Sequence, residues 1–186
     1  MAAPRTPKDI LTTELKEIYS AERQLSRAIP KMVRKVQSER LKEALGRRKD
    51  QGAQLIEALD QAFEEMEVTK ARPKNVAAEG LIEDLNEHME EIEDEKLLDP
   101  VLLAGVQKLE HYCIAAWGTA RSMGRLLGED RVIETMERVL EEGKQLDEEL
   151  TRLAEEELNP AMLEGQEDGA EQGGRRGKGG QEARAH

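Results

Sequence analysis

Apolar residues recur every three to four positions in four long segments of the chain, which is the spacing of one face of an α-helix. In the first segment the apolar face comprises Leu11, Leu15, Ile18, Leu25, Ile29 and Met32. Val, Ile and Thr are scattered and never form the alternating runs that are typical of strands. The pattern predicts long helices near residues 7–37, 38–67, 98–127 and 130–158, and a shorter helix near 76–93.

Proline and capping residues indicate where these helices begin and end. Thr6 followed by Pro7 has the form of an N-cap and a first helical residue. Pro30 lies inside the first segment and predicts a kink or a break there, because proline cannot donate the helical hydrogen bond. By the same rules, Asp99-Pro100 is expected to open the third long helix and Asn159-Pro160 to close the fourth.

The lengths of the connections predict how the helices pack. The first and second long helices are joined tightly, as are the third and fourth, so each pair is expected to form an antiparallel hairpin. Residues 68–97 link the two hairpins and carry the short helix. Two hairpins with one long crossover predict an all-α, ferritin-like four-helix bundle. We expect this bundle at residues 7–160, after an N-terminal extension (1–6) and before a disordered, glycine-rich tail (161–186).

Composition and charge narrow the classes of function. Of the 186 residues, 37% are charged, and the formal net charge is −12. Because an acidic protein gains no free energy from releasing the counterions of a polyanion, no nucleic acid partner is expected for the folded body. No segment approaches the roughly 20 apolar residues of a membrane span, and the single cysteine, Cys113, cannot form an internal disulfide. These features favour a cytoplasmic protein with no membrane partner.

Carboxylates interrupt the apolar stripes where a bundle core is expected. Since successive helical residues turn by about 100°, Glu22 lies roughly 40° from Ile18, inside the buried face of the first helix. The same count places Glu110 and Asp147 inside the bundle and Glu142 at the margin of its helix's buried face. A buried unpaired carboxylate is costly, so these side chains are expected to share a metal, a proton or a cation.

The second long helix lacks the ligands of a bundle-type dimetal site, in which one Glu from each of two helices joins a Glu-x-x-His pair from each of the others. Its inward positions are Arg48 and Gln51, and neither is a normal metal ligand. A guanidinium is permanently charged and presents five donors in a fork that suits carboxylates. We therefore expect Arg48 to pair with Glu22 and Glu110. Asp147 is then left to Gln51 or to the remaining donors of Arg48.

Three runs of the chain carry a resemblance to a known family: IYSAERQLSRAIPKM, LEHYCIAAWGTARSMGRLLG and TMERVLEEGKQLDEELTRLAEE. In these runs the chain is similar to the YciE/YciF family of bacterial ferritin-like stress proteins, and the resemblance spans about residues 7–158. It implies a ferritin-like bundle, a homodimer, induction under stress and a carboxylate-rich interior that can hold iron or a similar metal such as manganese. Glu22 and Glu110 match the family's interior glutamates, and Glu142 matches the glutamate pair of the fourth helix.

The chain departs from the family's pattern at three of the expected ligand positions. The family's second helix typically reads His-Leu-Glu-Glu-Thr where this chain has Arg48-Lys49-Asp50-Gln51-Gly52, so Arg48 replaces the histidine and Gln51 a glutamate. On the third helix the family usually has Glu where this chain has Cys113. We therefore favour a non-catalytic bundle whose dimetal site has been replaced by an arginine–carboxylate cluster.

The sequence also admits two metal-binding alternatives. The candidate ligands are Glu22, Glu110, Glu142 and Asp147. One alternative is a reduced mononuclear site that uses the three glutamates, with Cys113 as a soft ligand. The other is a working di-iron centre with oxidase or peroxide chemistry, which would make the protein an oxidoreductase.

Overall fold

The computed structural model of the chain describes residues 4–69 and 74–163. Within these ranges it contains five α-helices: α1 (Pro7–Lys35), α2 (Glu39–Glu65), α3 (Val76–Glu91), α4 (Glu95–Leu127) and α5 (Asp130–Leu153). No strand occurs in the described ranges, so the all-α prediction is confirmed. Most of the predicted tail, from residue 164 onward, lies outside the described residues.

Capping residues fix the starts and ends of the long helices. Thr6 and Asp9 form a capping box at the start of α1, in which each side chain accepts a hydrogen bond from the other residue's backbone N–H. The Ser38 hydroxyl accepts from the Leu41 backbone N–H at the start of α2. Gly128 ends α4 at a φ of 71°, a left-handed conformation that glycine adopts without a steric penalty. These caps satisfy backbone groups that a helix end leaves unpaired.

Two of the boundaries predicted from prolines are wrong. Asp94, not Asp99, caps α4, which begins at Glu95 and runs through Pro100. The buried carboxylate of Asp99 instead accepts hydrogen bonds from the backbone N–H groups of Gln37 and Ser38 in the α1–α2 turn. This carboxylate therefore ties the first hairpin to α4.

The fourth long helix does not close at Asn159-Pro160. A π turn (Ala154–Leu158) follows α5, and residues 159–163 are helical. A π turn widens the helix just before Pro160, a residue that cannot donate the next helical hydrogen bond. α1 likewise continues as one helix through Pro30, where buried Ile29 and Met32 hold it against the core.

The helices pack as the connection lengths predict. α1 pairs with α2 and α4 pairs with α5, while α1 also packs on α4 and α2 on α5. The crossover helix α3 lies against α1 and α4. This is the ferritin-like arrangement of two hairpins and one crossover. The core between the helices consists mainly of buried leucines around one fully buried tryptophan, Trp117. None of the described helices is long and apolar enough to cross a membrane.

Asn75 anchors the start of the crossover helix. Its backbone N–H donates to Ser20 Oγ at 3.0 Å, and its side-chain amide donates to the Glu17 carbonyl oxygen and to the Tyr112 hydroxyl. Its side-chain oxygen accepts from the Ala78 backbone N–H and so caps α3. One buried side chain thereby joins α1, α3 and α4.

Candidate functional site

Arg48 lies between two glutamates in the interior of the bundle. α2 contributes Arg48, α1 contributes Glu22 and α4 contributes Glu110, and the three residues are 3%, 1% and 2% exposed. Nη1 and Nη2 of Arg48 donate to the two carboxylate oxygens of Glu22 at 3.0 and 2.9 Å. Nε donates to Glu110 Oε2 at 2.6 Å. The contact expected from the helical positions of these residues is therefore present.

Two further side chains from α4 enclose the guanidinium. Nη2 of Arg48 lies 3.6 Å from the sulfur of Cys113, within the range of a weak hydrogen bond to sulfur. Cζ of Arg48 lies 5.4 Å from the centroid of the Trp117 ring, a distance at which a cation is attracted to the ring face. The arginine thus contacts carboxylate, thiol and aromatic groups at once.

The charges of this cluster do not balance. Two carboxylates face one guanidinium, all out of water. Burial by itself lowers the pKa of Arg48, but the negative charges of Glu22 and Glu110 outweigh it and hold that pKa well above its ordinary value. Burial raises the pKa of Glu110, although Arg48 opposes the shift. Oε1 of Glu110 has no hydrogen-bond partner among the described residues.

The surroundings of Cys113 disfavour the thiolate form of its side chain. Burial is the main cause of its raised pKa, and the nearby charge of Glu22 adds to the shift. Because the thiolate is the form that attacks electrophiles and binds metals, a raised pKa suppresses both reactions. Cys113 therefore acts as a small buried residue beside the arginine.

The other predicted site residues lie apart from the ion-pair cluster. Asp147 accepts a hydrogen bond from Gln107 Nε2 at 3.2 Å and lies 3.3 Å from His111 Nε2, so its expected pairing with Arg48 or Gln51 is wrong. Gln51 instead donates to a backbone carbonyl of α5 at 3.4 Å.

Glu142 also lies outside the cluster. Its side chain is 40% exposed and lies 3.3 Å from Arg138 on the same helix. A position at the margin of the buried face leaves a long side chain free to turn toward water. Glu142 is therefore not brought together with the two interior glutamates.

The residues at this position do not fit the dimetal site that the family resemblance implies. A guanidinium, itself a cation, is bonded to both of the carboxylates that a metal would need. Within residues 4–69 and 74–163, no group of three or more His, Cys, Asp or Glu side chains is arranged to hold a metal ion. The arrangement binds one fixed organic cation, and the chain supplies that cation itself.

Two glycines that the sequence analysis did not single out border the cluster. A Cβ on Gly52 of α2 would lie 2.7 Å from Glu22 Oε2. A Cβ on Gly143 of α5 would lie 2.7 Å from Glu110 Oε1 and 2.6 Å from Trp117 Cζ3. These two residues could have been found from the sequence, because a glycine on the inward face of a strong helical pattern indicates close packing or a functional role.

A cleft of about 360 Å³ between α2 and α5 reaches this region from the surface. Arg48, Gln51 and Glu142 are among the residues that line it. Although Arg48 is nearly inaccessible, it forms part of the cleft's wall. Arg48 therefore borders both this cleft and the ion-pair cluster.

The fold and this interior define a class: ferritin-like four-helix bundles, here with an arginine joining the two inward glutamates. The chain belongs to the family described as Domain of unknown function (DUF892), which matches residues 6–163. The match confirms the resemblance to the YciE/YciF family.

The matches to similar proteins cover most of this chain and most of each similar protein. Protein YciF of Escherichia coli (strain K12) is 38% identical over 156 residues, which are 83% of this chain and 94% of YciF. The crystal structure of the E. coli stress protein YciF matches with a TM-score of 0.79 and covers 84% of this chain and 99% of its own. YcfI of Rhodopseudomonas palustris, provisionally described as a structural protein, matches with a TM-score of 0.75 at 32% identity and covers 79% and 94%.

Proposed function

We propose that this protein is a YciF-type stress-response bundle that works without a metal cofactor and without catalysis. The observation that carries this proposal is the three-point contact of Arg48 with Glu22 and Glu110 at 2.6–3.0 Å. The likeness to the stress protein YciF supports the stress context, and the likeness to YcfI supports a structural role.

An arginine can bridge the two interior glutamates as a metal ion would, but its charge, geometry and coordination differ from those of a metal. Its charge is permanent, so both carboxylates keep a cationic partner at every metal concentration and in every redox state. Its five donors are fixed in one plane, so it bridges Glu22 on α1 and Glu110 on α4 from α2 in a defined geometry. It offers no open coordination position for a substrate. The interior therefore supports a constant shape rather than a reaction.

A bundle without catalysis acts through what it binds, and we infer that its first partner is a second copy of the same chain. The inference rests on the homodimer that the family resemblance implies. Light scattering on the purified protein is expected to give the mass of two chains, and the mass of one chain would contradict it.

The function is tested by restoring the ligands that Arg48 and Gln51 replace. In the double variant Arg48→His with Gln51→Glu, α2 regains the histidine and the glutamate that the family resemblance implies at these two positions. We expect this variant to bind iron or manganese that the natural protein does not bind. Its thermal midpoint should rise with metal concentration, because a ligand that binds only the folded state stabilises that state.

The control applies the same changes to exposed positions of α2, as Arg40→His with Gln61→Glu. This control should bind no metal, since the two new side chains lie on the surface and far apart along the helix. Equal metal uptake by the control, or no uptake by either variant, would contradict the proposal that Arg48 occupies a former metal position.

A further inference from the structure

Gly52 follows Arg48 by one helical turn on the buried side of α2. Glycine in a helix interior is less favourable than alanine, because its backbone loses more conformational freedom on folding. Its presence at a buried mid-helix position therefore requires a local reason. The geometry beside it provides one.

A side chain at position 52 would collide with the ion pair. A Cβ there would lie 2.7 Å from Glu22 Oε2 and 3.1 Å from Arg48 Nη1. The end of a long side chain can usually move away from such a contact. The Glu22 carboxylate cannot move away, because both of its oxygens accept hydrogen bonds from Nη1 and Nη2 of Arg48. The guanidinium is fixed in turn, because its Nε donates to Glu110.

We propose that Gly52 is the residue that makes the interior specific for a guanidinium. Because it presents no side chain, Glu22 can reach far enough along α2 to meet both terminal nitrogens of Arg48. Any larger residue displaces the Glu22 carboxylate and opens this two-bond contact. The inference rests on the proposed function, since both take Arg48 as the cation that the glutamates hold.

The first test compares two glycines of the same helix. No atom lies within 4 Å of a Cβ placed on Gly46, so Gly46→Ala meets no obstacle. Gly46→Ala should raise the thermal midpoint by about 2–4 °C through the helix preference of alanine. Gly52→Ala should lower it. A rise for both variants would overturn the inference.

The second test asks whether the obstacle is the carboxylate itself. In the Glu22→Asp background the carboxylate is one methylene shorter and withdraws from position 52. There Gly52→Ala should lower the thermal midpoint far less than it does in the natural chain, or raise it. An equal loss in both backgrounds would overturn the inference, because the obstacle would then be an atom other than the Glu22 carboxylate, such as Arg48 Nη1. Folding only in the Glu22→Asp background supports it, and failure to fold in both overturns it.

A spectroscopic measurement separates this role from a general packing role. The Nε–H signal of Arg48 in a nitrogen–proton NMR spectrum, assigned by its loss in Arg48→Lys, reports the bond to Glu110. Gly52→Ala should shift this signal and speed its hydrogen exchange, while Gly46→Ala should leave both unchanged. An unshifted signal in Gly52→Ala contradicts the inference.

Different results would contradict the proposed function and the inference about Gly52. Bound metal in the natural protein contradicts the proposed function. A Gly52→Ala variant with the same gain as Gly46→Ala contradicts this inference even in a protein that holds no metal.

Discussion

At the scale of single residues, the interior depends on one side chain with several partners. Arg48 makes three hydrogen bonds to carboxylates and lies over the Trp117 ring. A buried ion pair of this kind adds little net stability compared with apolar packing, but it is costly to break, since the remaining charge stays buried without a partner. The cluster therefore acts mainly as a constraint on structure.

Removing Arg48 should destabilise the protein far more than removing its neighbour. Arg48→Ala leaves two buried carboxylates without a counter-charge and is expected to cost about 3–5 kcal/mol of unfolding free energy. Arg47→Ala breaks only an exposed pair with Glu149 and should cost less than about 1 kcal/mol. Urea denaturation of both variants measures the difference, and similar small losses would show that Arg48 is not the counter-charge.

Glu110 gives the cluster a pH dependence of definite sign. Burial, opposed by Arg48, raises the pKa of Glu110 above its ordinary value of 4.5. Between the unfolded and the folded pKa the unfolded chain binds fewer protons, so the stability contributed by this residue falls as pH rises. Relative to the natural protein, Glu110→Gln should therefore gain stability as pH rises from about 4 to 8.

The control for this pH series is Glu65, whose pKa is lowered chiefly by its hydrogen bond from Arg131. Its ionised form favours folding, so Glu65→Gln should lose stability relative to the natural protein over the same rise in pH. Thermal unfolding across the series measures both variants. A constant or falling difference for Glu110→Gln would contradict the assigned pKa direction.

Part of this site could be predicted from the sequence, because the angle between two residues around a helix axis depends only on how many residues separate them. Glu22, Arg48 and Glu110 fall on buried faces by counting alone, and their charges then leave few other partners. The partners of Asp147 could not be predicted the same way. Gln107 and His111 reach it from α4, and which of several side chains makes a contact depends on rotamers and helix offsets.

At the scale of the helices, two buried polar side chains hold the connections in place. Asp99 of α4 binds the turn between α1 and α2, and Asn75 binds the start of α3 to α1 and α4. Helix existence was readable from apolar spacing, whereas the start of α4 was not. Both Asp94 and Asp99 can cap a helix, and the choice was decided by a tertiary contact that no local pattern shows.

Removing the Asn75 side chain should cost more unfolding free energy than removing an ordinary helix cap. Asn75→Ala removes the cap of α3 and two partly buried hydrogen bonds to α1 and α4. At about 1 kcal/mol for each, it should cost about 2–3 kcal/mol of unfolding free energy. Thr6→Ala removes an exposed cap alone and should cost about 1 kcal/mol. Unfolding free energies from urea titrations provide the comparison. Equal losses would show that the hydrogen bonds of Asn75 to α1 and α4 do not stabilise the crossover.

At the scale of the whole molecule, the bundle retains the ferritin-like architecture while its interior supplies its own cation. The shared architecture follows from apolar stripes and connection lengths, and the likeness to YciF covers most of both chains. The interior ion pair depends on Arg48, and Gly52 lies beside it one helical turn further along α2. Different residues therefore determine the fold and the interior site, so the fold alone does not specify the chemistry.

The metal content of the natural protein tests most directly whether Arg48 takes the place of a metal ion in the interior. The protein would be purified without chelators from cells supplied with iron and manganese, and metal per chain would be measured by plasma mass spectrometry. We expect no stoichiometric iron or manganese, because the Arg48 guanidinium already pairs with Glu22 and Glu110. One or two iron or manganese ions per chain would contradict this expectation.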